Sequence, residues 1–122
     1  MRIPTLLFLA SLAACAPGNH DSLIYGTWEV REVTGRASEV FAPGRTLQIL
    51  EGPTAVVSGG GLATVRKSFQ TIRSETVHGT EGLLILFSTD SSGYIVHLPT
   101  RTEMLLEENT LDATILRLRR VR

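Results

Sequence analysis

From Ile24 onward, apolar and polar positions alternate in short runs separated by turn residues. Tyr25 to Thr34 sets Trp28 and Val30 on one face and Glu29 and Arg31 on the other. Val33 is out of step, so this strand needs a bulge or a local twist. A longer connection over 35–44 contains Pro43, and Thr46–Leu50 and Thr54–Val57 follow, split by Gly52-Pro53. Leu83–Phe87 is apolar at every position, the length and content of a buried strand. Asp90-Ser91-Ser92-Gly93 turns the chain into Tyr94–Leu98, and Pro99-Thr100-Arg101 turns it again into Glu103–Leu106. A polar loop over 107–112 leads to the closing segment Ala113–Val121. Strand and turn thus recur about every ten residues, the rhythm of an antiparallel meander.

One segment carries two patterns. Leu62, Val65, Phe69 and Ile72 have helical spacing, with Arg66, Lys67, Gln70 and Arg73 opposite. The same stretch holds the β-branched Thr64, Val65, Thr71 and Ile72, weak helix formers that suit a strand. The expectation is a mainly β domain with a possible short helix at 62–73. About eight strands of ~6 residues with ~4-residue turns fit the available chain, and eight close a small up-and-down barrel without unpaired edges.

The N-terminus has a different character. Met1-Arg2 is positively charged, Ile3–Leu12 is almost wholly apolar, and Ala13 and Ala14 are small. The apolar run is about 10 residues, against ~20 for a spanning helix. It ends at Leu12-Ala13-Ala14-Cys15, and Cys15 is the only cysteine among 122 residues. This stretch resembles the lipobox of bacterial lipoprotein precursors. The resemblance implies a signal peptide over 1–14, and lipidation of Cys15 by a diacylglycerol thioether. Acylation of the new amine by a fatty acid such as palmitate would follow. Each buried CH₂ is worth ~0.8 kcal/mol, so two or three chains anchor stably. Residues 15–22 are then a polar, turn-rich tether, and 23–122 the folded domain. The implied location is the bacterial cell envelope. With Ala16 after the cysteine, a Gram-negative host would favour the periplasmic side of the outer membrane over the inner membrane.

Gly26-Thr27-Trp28 at the start of the first strand resembles the opening of lipocalin-like barrels. In that family the Trp plugs one barrel end beneath a basic residue from near the C-terminus. The resemblance implies structural roles for Gly26 and Trp28, and Arg117, Arg119, Arg120 and Arg122 supply candidates for the partner. Arg120 falls on the inward phase of the last strand and is the one expected over Trp28. A guanidinium over an indole contributes ~0.5–2 kcal/mol. Leu116 and Leu118 should face in, and Arg117 and Arg119 out as solvated charges that discourage edge pairing.

Composition narrows the chemistry. The 12 basic and 12 acidic residues balance, which does not suit a general nucleic-acid binder. His20, His78 and His97 lack metal-ligand spacing. Ser58-Gly59-Gly60-Gly61 lacks the lysine and hydroxyl residue that complete a phosphate loop, so it reads as a turn. No nucleophile elbow occurs, and Cys15 is consumed by its lipid. No enzyme, cofactor or metal is expected. The lipocalin-like resemblance implies non-covalent binding of a small apolar or amphiphilic ligand. Residues available to line the lumen are Leu47, Ile49, Leu84, Leu86, Tyr94 and Val96. The inner face of Leu83–Phe87 is ambiguous in the sequence. The other expectation is a cavity-free β scaffold that docks an envelope protein through the 35–45 and 107–112 loops.

Overall fold

The computed structural model describes residues 22–36, 40–87 and 93–121. The expected signal peptide, Cys15 and nearly all of the expected tether lie outside the described residues. Among the described residues nine antiparallel strands form one sheet, curled as a half barrel, and α-helix is confined to Ser22. The strands are β1 (Gly26–Thr34), β2 (Thr46–Leu50), β3 (Thr54–Ser58), β4 (Val65–Ser68), β5 (Gln70–Glu75), β6 (Glu81–Leu86), β7 (Tyr94–Thr100), β8 (Glu103–Glu108) and β9 (Ile115–Arg120). Their order in the sheet is β4-β3-β2-β1-β9-β8-β7-β6-β5. Every pairing joins neighbours in the chain except β1 with β9.

The two outermost strands, β4 and β5, are consecutive and separated by Phe69 alone. The segment with both helical and strand patterns is therefore one course of chain with a kink. Its first half pairs with β3 and its second half with β6. The β-branched residues suit both halves, and the helical spacing has a different origin. Phe69, at the kink, is buried in the core, whereas Leu62 and Ile72 are largely exposed. Counted as one course, β4 and β5 leave eight runs of chain around the curl.

Alternation sets the core. Trp28 and Val30 of β1, Leu47 and Ile49 of β2, Met104 and Leu106 of β8, and Leu116 and Leu118 of β9 are all essentially inaccessible. Each such side chain contributes ~1.5–3 kcal/mol on burial. The out-of-step Val33 is accommodated by a register shift between Val30 and Glu32 against β9. That shift restores Val33 to the inner face opposite Leu116. In β6 the core face is Leu83 and Ile85, continued by Phe87.

Candidate functional site

The two ends of the curl differ chemically. At the end where β1 begins, Trp28 is fully buried and its indole Nε1 donates to the Ile24 carbonyl at 2.9 Å. Gly26, two residues before it, has φ 136°, a backbone angle that glycine adopts readily and L side chains rarely do. The Arg120 guanidinium lies 4.2 Å from the Trp28 ring centroid. The same group donates from Nε to the Arg101 carbonyl at 3.0 Å. Its Nη1 donates to Tyr25 at 2.9 Å and its Nη2 to Leu23 at 2.7 Å. One side chain thus caps the indole and ties the entering chain to the β7–β8 turn. Leu116 and Leu118 are buried, and Arg117 and Arg119 are exposed.

The opposite end is held by a second inward arginine. Arg45 is 1% exposed. Its guanidinium donates to the carbonyls of Val40 (3.2 Å), Gly59 (3.1 Å), Val57 (3.4 Å) and Ala63 (2.6 Å). A buried cation is tolerated when its donors are satisfied. Here they gather the 40–45 and 59–64 connections around one planar group. Arg45 precedes Leu47 and Ile49 in the same alternation, and that inward phase is the signal that could have found it.

Beside this arginine the sheet opens into a cavity of about 380 Å³. Val33, Phe41, Tyr94 and Leu116 form its apolar wall, and Arg36, Glu108, Asp112 and Thr114 its polar rim. Phe41, Phe87 and Tyr94 pack as a triad with ring centroids 5.6–5.9 Å apart. Burial, and then the nearby Glu108 carboxylate, push the Tyr94 phenol above its usual value, so it stays protonated and can donate. Glu108 accepts from the Thr114 amide at 3.3 Å, and Thr114 Oγ1 exchanges hydrogen bonds with the Arg36 backbone. Gly35 permits this closure. It has φ +103°, and a Cβ there would lie 3.0 Å from the Thr114 Cα.

The six residues assigned to the lumen are not brought together. Leu47 and Ile49 are sealed in the core. Leu84 and Leu86 correct the sequence assignment: they occupy the outer face of β6, because Leu83, Ile85 and Phe87 take the inner one. Tyr94 and Val96 pack against the core from β7, and Tyr94 alone of the six lines the cavity at the open end.

A further cluster had no sequence signal. The β5–β6 turn folds over the outer face of the sheet. There His78 Nε2 meets Glu107 Oε2 at 2.7 Å, and His97 Nε2 meets Glu107 Oε1 at 3.0 Å. The Val77 amide adds a bond to Asn109 Oδ1 at 2.7 Å. Burial pushes the Glu107 carboxyl upward, but the two imidazoles outweigh it and hold the group below its usual value. On the same outer face Leu84 and Ile95 are each only 4% exposed, and Thr76 and His78 of the turn border one cleft with Ile95. The two histidines lie 19 residues apart in sequence and reach one carboxylate only through the fold. Among the described residues, no group of three His, Cys, Asp or Glu is placed to hold a metal ion. Comparison with family models, curated proteins and solved structures finds no match to this chain.

Proposed function

We propose that the chain is a lipid-anchored protein of the bacterial cell envelope whose small barrel binds an apolar or amphiphilic ligand non-covalently at its open end. The 380 Å³ cavity carries this reading. Its volume falls within the ~300–1,000 Å³ of small-molecule sites. It sets an apolar, aromatic wall beside a rim of hydrogen-bonding and charged groups, which suits a molecule with one greasy and one polar part. The ligand sits above the packed core rather than within it, because side chains fill the inside of the curl. Anchoring through Cys15 fits the same geometry. Leu23 is fastened to Arg120 at the Trp28 end, so the tether leaves from the end opposite the cavity.

The Cys15→Ala chain, exported and purified without detergent, tests both parts. It should lose acylation and membrane retention; continued incorporation of radiolabelled fatty acid would refute the anchor. In native mass spectrometry it should carry an additional small mass that is released on denaturation and missing from the additional variant Tyr94→Glu. A bare protein mass in both forms would overturn ligand binding and favour the filled scaffold.

A further inference from the structure

Arg120 and Arg45 carry charge on the inward phase of the sheet, and each guanidinium is answered by several carbonyls. Glu108 carries charge on the same phase in a poorer environment. It follows Met104 and Leu106, both sealed in the core, at two-residue intervals along β8. Its partner across the β7–β8 ladder is Tyr94. Among the described residues its carboxylate accepts one hydrogen bond, at 3.3 Å from the Thr114 amide to Oε1. Among the same residues it makes no ion pair, although five ion pairs form elsewhere on the domain.

A carboxylate drawn partly out of water favours a cation beside it. Glu108 is half-buried, whereas Arg36 and Asp112, the other ionic groups on the cavity rim, are exposed. Those two carry opposite charges and are screened by solvent, so they largely offset each other. The charge that remains is that of Glu108. It is felt across the ladder, since after burial it is the second cause that raises the Tyr94 phenol. Phe41 and Tyr94 border the same cavity, and the faces of aromatic rings attract cations as well.

We propose that Glu108 selects the charge of the ligand, and that the cavity takes an amphiphile whose polar part is a protonated amine. This inference rests on the reading of the cavity as a ligand site. The ammonium donates to the Glu108 carboxylate beside the Tyr94 ring, and the apolar part lies against Val33, Phe41 and Leu116. A carboxylate-headed amphiphile meets Glu108 as a like charge and is disfavoured. An uncharged alcohol gains the apolar wall but not the ion pair. Tyr94→Glu removes the ring and part of that wall, which a second carboxylate does not replace.

The test is a titration of the full-length Cys15→Ala chain, purified without detergent, with octylammonium, 1-octanol and octanoate at neutral pH. Binding is followed by the NMR signals of Tyr94, Glu108 and Thr114. Octylammonium should bind at least about tenfold more tightly than 1-octanol, the gain expected of one charge-assisted hydrogen bond. Octanoate should bind more weakly than the alcohol. Glu108→Gln keeps the Oε1 acceptor for the Thr114 amide, and in this variant the preference for octylammonium over 1-octanol should disappear. If 1-octanol or octanoate binds as tightly as octylammonium, the proposal is overturned while the ligand cavity stands. A preference that survives Glu108→Gln overturns it in the same way. If none of the three moves these signals at millimolar concentration, the proposal and the reading of the cavity fall together.

Discussion

Replacing Arg120 by alanine should destabilise the domain far more than replacing either neighbouring surface arginine. The guanidinium stands 4.2 Å from the Trp28 ring and donates to three backbone carbonyls at 2.7–3.0 Å. A cation over an indole contributes ~0.5–2 kcal/mol. Each hydrogen bond adds about 0.5–1 kcal/mol net, at the low end because two of the three are solvent-exposed. The expected loss is about 2–4 kcal/mol, or roughly 10–20 °C in Tm for a domain of this size. Arg120→Lys keeps a cation near the ring but cannot fork to three carbonyls, so it should lose about half as much. Arg117 makes ion pairs of 3.5 Å to Glu32 and Glu103 at exposed positions, so Arg117→Ala should cost under ~0.5 kcal/mol. Arg119→Ala should behave similarly. Urea unfolding monitored by fluorescence measures all four, because Trp28 is the sole tryptophan and reports on this site. Equal losses at Arg117 and Arg120, or a loss below ~0.5 kcal/mol at Arg120, would refute the account of the plug.

Arg45→Ala removes the common partner of four carbonyls and should cost about 3–5 kcal/mol in the same assay. Broadened Phe41 and Tyr94 signals should accompany the loss, since the arginine gathers the loops beside them. Glu107 has a lowered folded-state pKa, so its stabilisation is complete above the ordinary carboxylate range and disappears as pH falls through the folded value. Urea midpoints measured from pH 6 to pH 3 should therefore fall more steeply for the natural chain than for Glu107→Gln. Parallel curves would remove the two-histidine bridge from the account.

Most of the fold is legible in the sequence because alternation is a local property. Trp28 and Val30 against Glu29 and Arg31, or Leu116 and Leu118 against Arg117 and Arg119, declare their faces without tertiary information. Even the bulge in β1 follows from one residue out of step. Leu83–Phe87 is different. All five side chains are apolar, so period two cannot say which set faces in. The β5–β6 turn also returns over the outer face of the sheet to reach Glu107 and Asn109, a tertiary event with no local signature. The same turn creates the His78–Glu107–His97 bridge. The short ladder between β6 and β7 is equally hidden, since either strand alone reads as ordinary. Inward arginines are a middle case. Arg120 and Arg45 both lie on the buried phase of a strand, and a charge on that phase stands out against the apolar residues two positions away.

The pairing of β1 with β9 joins the first strand of the domain to the last. All other pairings can form as successive hairpins, but this one closes a loop of nearly the whole domain, and non-local closure of that kind is slow. The order of synthesis therefore matters. Until Arg120 has left the ribosome, β1 lacks one neighbour and Trp28 lacks its cap. The fragment has an open edge and an uncapped indole, both of which weaken it. For a chain that must cross a membrane as a thread, as the proposed export would require, such a delay is useful: full sheet pairing needs the six-residue strand β9. Truncation by even a few C-terminal residues would then act as loss of the domain rather than of its tail.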